Sequence, residues 1–252
     1  MTEASTRSAA SGFRPRLHVG CGRERLDGWV NIDAQDLPGV DVVADVTQGL
    51  EYRDCEAVYA EHFLEHLRVD HALDFLGEAH RALGEGGLIR LSTPNLDWVW
   101  ISHYRLEGPP EEKVESAVRL NRAFHCWEHR FLWNRELLAE ALEAAGFADL
   151  HWCRYRESRY ELFRGIERHE GWADSPELPH VLIVEGVRGR PRPERLDALR
   201  DRLRRDFLDH LRCWRPGPTL ADLGFFARLR VRVGLRTRVR AFLRSPGRTD
   251  RG

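Results

Sequence analysis

The residues with the most legible chemistry are two glycines and an acid. The apolar run Leu17-His18-Val19 leads into Gly20-Cys21-Gly22, and the next run, Trp29-Val30-Asn31-Ile32, ends in Asp33. Paired glycines let a backbone turn tightly and pass close to a ligand. A carboxylate at the tip of the following strand can accept both hydroxyls of a ribose. Together these residues describe a nucleoside site. It is not the dinucleotide fingerprint G-x-G-x-x-G, because Arg25 stands where the third glycine would be. Asp33 also comes sooner than the usual ~20 residues. No G-x-x-x-x-G-K-[ST] occurs, which excludes a triphosphate loop. A nucleoside ligand without a pyrophosphate fits this pattern.

Histidine is the second chemical signal. Of twelve histidines, four stand in two copies of H-x-x-E-H, His62 to His66 and His125 to His129. On a helix, two histidines four apart share a face and could bind zinc. Neither copy has a third ligand nearby in sequence, so no metal is expected. As proton acceptors, His62, His125 and His129 are the candidate bases. The alternative is a structural imidazole held by a neighbouring carboxylate. Trp98, Trp100, Tyr104, Trp127 and Trp133 could wall an acceptor pocket, since aromatic faces suit sugars and flat rings, or could belong to a core.

These residues need a sheet to present them. Short apolar runs at 17–19, 29–33, 40–45, 57–60 and 88–93 read as buried strands. A helical stripe from Leu64 to Leu83 lies between the fourth and fifth, ending at Gly84. Asn134 is a helix N-cap and Gly146 the stop of that helix. Trp152–Phe163 and Val181–Gly186 read as the last strands. Strands alternating with helices imply a largely parallel sheet with right-handed crossovers. Residues 1–14 read as a flexible tail, 96–133 as a lid or insertion within a domain at 15–188, and 189–252 as an Arg-rich extension that begins as a charged helix.

A family resemblance then joins the motifs. Leu17 to Gly22 resembles the first motif of class I S-adenosylmethionine (SAM)-dependent methyltransferases. Asn31-Ile32-Asp33 resembles their second, and Ala44-Asp45-Val46 their adenine-edge motif. Glu61 to Leu67 is similar to the segment after strand four in the type 11 family, and Gly84 to Leu91 to its turn into strand five. The likeness covers about residues 16–96 well and 135–147 and 180–186 more weakly. It implies an α/β Rossmann-like fold, a seven-stranded mostly parallel sheet with helices on both faces, and SAM at the carboxyl ends of the first strands. It also implies cofactor contacts: His18, Gly20, Cys21 and Gly22 around the methionine part, Asp33 on the ribose, Asp45 and Val46 at the adenine. Glu61 and His62 are expected near the sulfonium. Arg23 to Trp29 resembles a subgroup of small methyltransferases with an abbreviated first helix, whose members often accompany glycan or secondary-metabolite assembly. A small-molecule or glycan acceptor is therefore expected, methylated at oxygen first and at nitrogen as the second alternative.

Composition sets the setting. Five cysteines without a C-x-x-C argue against a disulfide framework and for a reducing cytoplasm. The net charge of −1 hides an asymmetry: residues 186–252 hold 19 arginines against 7 acidic residues. The acidic remainder argues against nucleic acid docking on the sheet domain. The basic extension, with its mixed apolar and arginine stretch 223–244, suits a membrane surface or a protein partner. Two other readings stay open: a SAM-binding or nucleoside-binding regulator without turnover, and a zinc hydrolase using His62, Glu65 and His66.

Overall fold

The computed structural model describes residues 14–169 and 175–212. The chain divides into two units after Asp201, each described by itself. In the first, seven strands form one sheet in the order β3-β2-β1-β4-β5-β7-β6. They are β1 (Arg16–Val19), β2 (Val30–Asp33), β3 (Val42–Val43), β4 (Cys55–Glu61), β5 (Leu83–Pro94), β6 (Phe147–Trp152) and β7 (Val181–Arg188). The first five run parallel, and β7 is antiparallel to both β5 and β6. The expected mostly parallel α/β sheet is therefore present. In the second unit, residues 204–212 are helical. The basic stretch 223–244 lies outside the described residues.

Helix α1 (Val69–Ala82) buries Val69, Ala72, Leu73, Leu76 and Ala79, the i, i+3, i+4, i+7 spacing of one helical face. It packs against α4 (Arg135–Ala145). Asn134 caps α4 by accepting from the Leu137 amide at 3.0 Å. Gly146 ends it in a left-handed turn at φ +104°, where a Cβ would also meet the Arg190 carbonyl at 2.7 Å. Helix α5 (Pro193–Leu203) lays Leu196 over Gly77 of α1 and joins Arg200 to Asp74 at 2.8 Å. Within residues 96–133 two helices, α2 (Leu96–His103) and α3 (Pro110–His125), pack around Val99, Ala123 and Leu132.

Two expectations change. No helix follows β1: residues 20–29 are turns and irregular loop. The buried carboxamide of Asn31 replaces the missing helix as an organiser. It accepts from the Leu26 amide at 2.8 Å and donates to the Leu26 and Trp29 carbonyls at 3.1 and 3.2 Å. Second, Trp152–Phe163 is not a strand. The edge strand is Phe147–Trp152, and the residues beyond it fold over the sheet. There Phe163 and Ile166 join Leu26, Trp29, Ala57, Tyr59 and Leu88 in one buried cluster. The apolar residues that suggested a strand serve as the cover of a sheet face.

That cover is fastened by charge. Arg90 of β5 is fully buried between Glu167 and Glu185, with Nε donating to Glu167 at 2.6 Å and a second ion pair to Glu185. Arg90 also donates to the Glu157 carbonyl at 3.0 Å, and the Arg156 amide donates to Glu167 at 3.0 Å. At the end of β4, Glu61 accepts from the amides of Arg168 and His169, each at 3.0 Å, from Tyr59 Oη at 2.9 Å and from the His169 imidazole. Burial alone would raise the Glu61 carboxyl, but the His169 bonds and the Tyr59 bond overcome it and hold the group down at about 2.

Removing Glu167 leaves Arg90 its ion pair with Glu185 but takes the acceptor away from the buried Arg90 Nε and from the Arg156 amide. Glu167→Ala should therefore lower the unfolding free energy by about 2–4 kcal/mol, read from urea midpoints. Glu61 has a depressed folded pKa, so its contribution is fully present above about 4.5 and is lost as pH falls toward about 2. The stability gap between wild type and Glu61→Gln should therefore be widest above that window, on the order of 3 kcal/mol, and close within it. A gap that does not change with pH would contradict the assignment.

Candidate active site

The carboxyl ends of β1 to β5 open into one cavity of about 1150 Å³. It lies where the strand order reverses between β1 and β4, the place where open α/β sheets bind ligands. Single-ligand pockets run to about 1,000 Å³, so this one has room for a nucleoside and a second molecule.

The nucleoside side is built by three strand ends. Gly20 lines the cavity at φ +66°, and a Cβ there would run into the Phe63 ring. Gly22, at φ +53°, has open space where a Cβ would be. Its amide donates to Asp33 Oδ2 at 2.8 Å, while Asp33 Oδ1 accepts from the Gln35 amide at 2.9 Å. The carboxylate is thus oriented by the loop, and each oxygen keeps a further lone pair for a ligand. Asp45 and Val46 line the cavity from the end of β3. The Thr47 hydroxyl at 2.7 Å and its amide at 3.0 Å hold Asp45 below the usual carboxylate range. A glycine floor that lacks side chains, followed by two carboxylates at successive strand tips, fits a SAM nucleoside.

Other expected contacts are placed elsewhere. His18 is buried against Tyr59, with its Nδ1 3.0 Å from Asn31 Oδ1, and burial lowers its pKa. Cys21 is buried, and burial pushes its thiol up to about 11. Neither they, Gly22 nor Glu61 is part of the cavity wall. Glu61 is instead taken up by the 168–169 segment.

The second side is rich in histidine. His62 follows β4 with φ +46°, a left-handed conformation that non-glycine residues seldom hold. Its amide donates to the Ser92 carbonyl at 3.0 Å and its Nδ1 lies 2.9 Å from Glu65 Oε1. Glu65 is fully buried and also accepts from the Thr93 hydroxyl at 3.0 Å. Burial disfavours the His62 imidazolium, but the Glu65 carboxylate outweighs it and raises the pKa. His129 lines the cavity, and burial lowers its pKa even though its Nδ1 bonds the Ala123 carbonyl at 2.7 Å. His125 is exposed at the end of α3 and off the cavity wall, so it is not placed to act as the base.

Of the aromatic candidates, Trp98 and Trp127 wall the cavity. Trp133 is core, and Trp100 stacks on Tyr104 at the surface. Sequence reasoning missed His103, His169 and His180 on the wall and named His66 only within the zinc-hydrolase reading. His66 stood in an H-x-x-E-H string, while the other three carried no pattern. Among the described residues, no lysine or arginine lines the cavity.

A family profile described as a methyltransferase domain matches residues 14–151, more than half of the chain. No curated protein sequence matches it. Among solved structures, a SAM-dependent methyltransferase from Archaeoglobus fulgidus is 19% identical, covering 70% of this chain and 86% of that one, with a TM-score of 0.46. One from Thermotoga maritima is 15% identical over 70% and 82% (TM-score 0.47), and one from Mesorhizobium loti is 16% identical over 69% and 90% (TM-score 0.44). The chain belongs to the methyltransferase-domain family, with S-adenosylmethionine as its cofactor.

Proposed function

We propose that the protein methylates a hydroxyl group of an uncharged small molecule or glycan, with His62 as the general base. The observation that carries this reading is the conformation of His62. A left-handed non-glycine residue costs of order 1–3 kcal/mol and persists only where its surroundings impose it. Here the surroundings point its imidazole at buried Glu65. With Nδ1–H donated to the carboxylate, Nε2 is left as the proton acceptor, the same division of labour as in other carboxylate–imidazole pairs.

When bound, SAM supplies a methyl group on a positively charged sulfur, and the displacement needs alignment rather than covalent catalysis. Asp33 would accept the ribose hydroxyls, Asp45 the adenine amino group, and Gly20 would let the backbone pass beneath the methionine part. A hydroxyl is a poor nucleophile until it loses its proton, which is the step a histidine at this edge would assist. Trp98 and Trp127 offer flat apolar faces suited to a sugar or an aromatic ring. The lack of lysine and arginine on the described wall favours an uncharged acceptor over a phosphorylated one. The basic charge of 186–252 supports a separate anionic partner for the extension, a membrane surface or a protein.

The test is a screen with methyl-labelled SAM against neutral glycosides, phenols and amines. Label is expected in ether linkages; label in amines alone would contradict hydroxyl methylation. Against an accepted substrate, His62→Ala should lower kcat by about 10²–10⁴. S-adenosylhomocysteine affinity should stay near wild type in that variant. Asp33→Ala should do the opposite, weakening SAM binding about 10- to 100-fold through loss of charge-assisted hydrogen bonds worth about 1.5–3 kcal/mol.

A further inference from the structure

Next to His62 the cavity wall holds a cluster that cofactor binding does not use. Glu65, His66 and His129 each present a donor atom, and these atoms all lie within 4.8 Å of one another. They come from the two separate H-x-x-E-H strings. Backbone bonds hold the strings together: the Glu65 carbonyl accepts from the amides of Arg130 at 2.8 Å and Phe131 at 3.2 Å. The His66 and His129 rings meet edge to face, with centroids 5.2 Å apart.

The donors are held by hydrogen bonds that leave coordinating lone pairs open. His129 gives its Nδ1–H to the Ala123 carbonyl, which leaves Nε2 with a bare lone pair. A second ring nitrogen tied to a backbone carbonyl is the usual support of a metal-binding histidine. Glu65 is a fully buried carboxylate, paired among the described residues with no lysine or arginine. Each of its oxygens accepts one hydrogen bond and keeps lone-pair capacity. A buried anion without a fixed cation is costly, and a bound cation would relieve that cost.

We propose that Glu65, His66 and His129 bind one divalent transition-metal ion, with its remaining positions open to the cavity. Two imidazoles and one carboxylate suit zinc, iron, cobalt or nickel rather than magnesium or calcium. Three protein ligands with an open position is the arrangement of metal sites that act on a ligand. Bonds of about 2.1 Å place tetrahedral donors about 3.4 Å apart, so binding draws this cluster together, with partly exposed His66 free to turn. The open position faces the space assigned to the acceptor. A hydroxyl held there would be acidified as metal-bound water is, an effect that rests on the methyl-transfer reading, whereas the binding itself does not.

The experiment uses untagged, chelator-stripped full-length protein titrated with Co²⁺ and followed by visible d–d absorption. His66→Gln, His129→Gln and His125→Gln are run beside it, and thermal melting verifies that each is folded. One equivalent of Co²⁺ should bind to wild type and to His125→Gln, with affinity lower by at least about tenfold in the other two. The proposal is overturned if wild type takes up no stoichiometric Co²⁺, or if His66→Gln and His129→Gln bind it as tightly as wild type. Calorimetry with S-adenosylhomocysteine on the same samples separates the two readings. Cobalt uptake without cofactor binding contradicts the nucleoside site alone; cofactor binding without cobalt uptake contradicts the metal site alone.

Discussion

The architecture depends on closing the β1–β2 connection without a helix. In a Rossmann-like sheet that helix normally covers one face and anchors the turn beneath the cofactor. Here the connection is too short for one, and the fully buried side chain of Asn31 takes over the anchoring. Its carboxamide satisfies the Leu26 and Trp29 backbone, its oxygen meets His18, and its nitrogen reaches Asp41 at 2.8 Å. The turn so fixed places the Gly22 amide on Asp33, and the Asp33 carboxylate is thereby aimed at the cavity. The uncovered face is closed from far along the chain by Phe163 and Ile166, which the Arg90 triad and Glu61 hold in place. One shortened loop thus accounts for a buried polar strand residue, a buried ion triad and a long covering segment.

On the opposite side of the cavity, Glu65 has the corresponding part. Its side chain orients His62 and bonds Thr93, and its carbonyl holds the segment that carries His129. The two sides of the cavity are therefore organised by two different buried polar residues. Asn31 reads as an isolated polar letter between apolar neighbours and Glu65 stands among histidines, but each is where the low interior dielectric makes full hydrogen bonding obligatory.

Much of this was legible in the sequence, for identifiable reasons. The strand cores, the Asn134 cap and the Gly146 stop follow from local periodicity and backbone chemistry, which act within a few residues. Gly20, Asp33 and Asp45 all line the cavity, and their spacing is the kind of mark that a ligand bridging successive strand ends would leave. Residues 152–163 were misread because an apolar segment that covers a sheet looks, letter by letter, like a strand within it. His18, Cys21 and Glu61 occupy motif positions yet are turned toward the protein, a matter of strand facing and side-chain pairing that spacing does not carry. The meeting of His66 with His129 needs the tertiary contact between Glu65 and Arg130 and has no local signature at all.

The central claim is that the ends of β1, β2 and β3 hold the nucleoside of SAM. A crystal structure of the protein grown with S-adenosylhomocysteine tests it most directly. The ribose hydroxyls are expected within hydrogen-bonding distance of Asp33, the adenine beside Asp45 and Val46, and the sulfur facing His62. Ligand density elsewhere on the molecule, or a cavity in which Asp33 and Asp45 make no contact with the ligand, would contradict it.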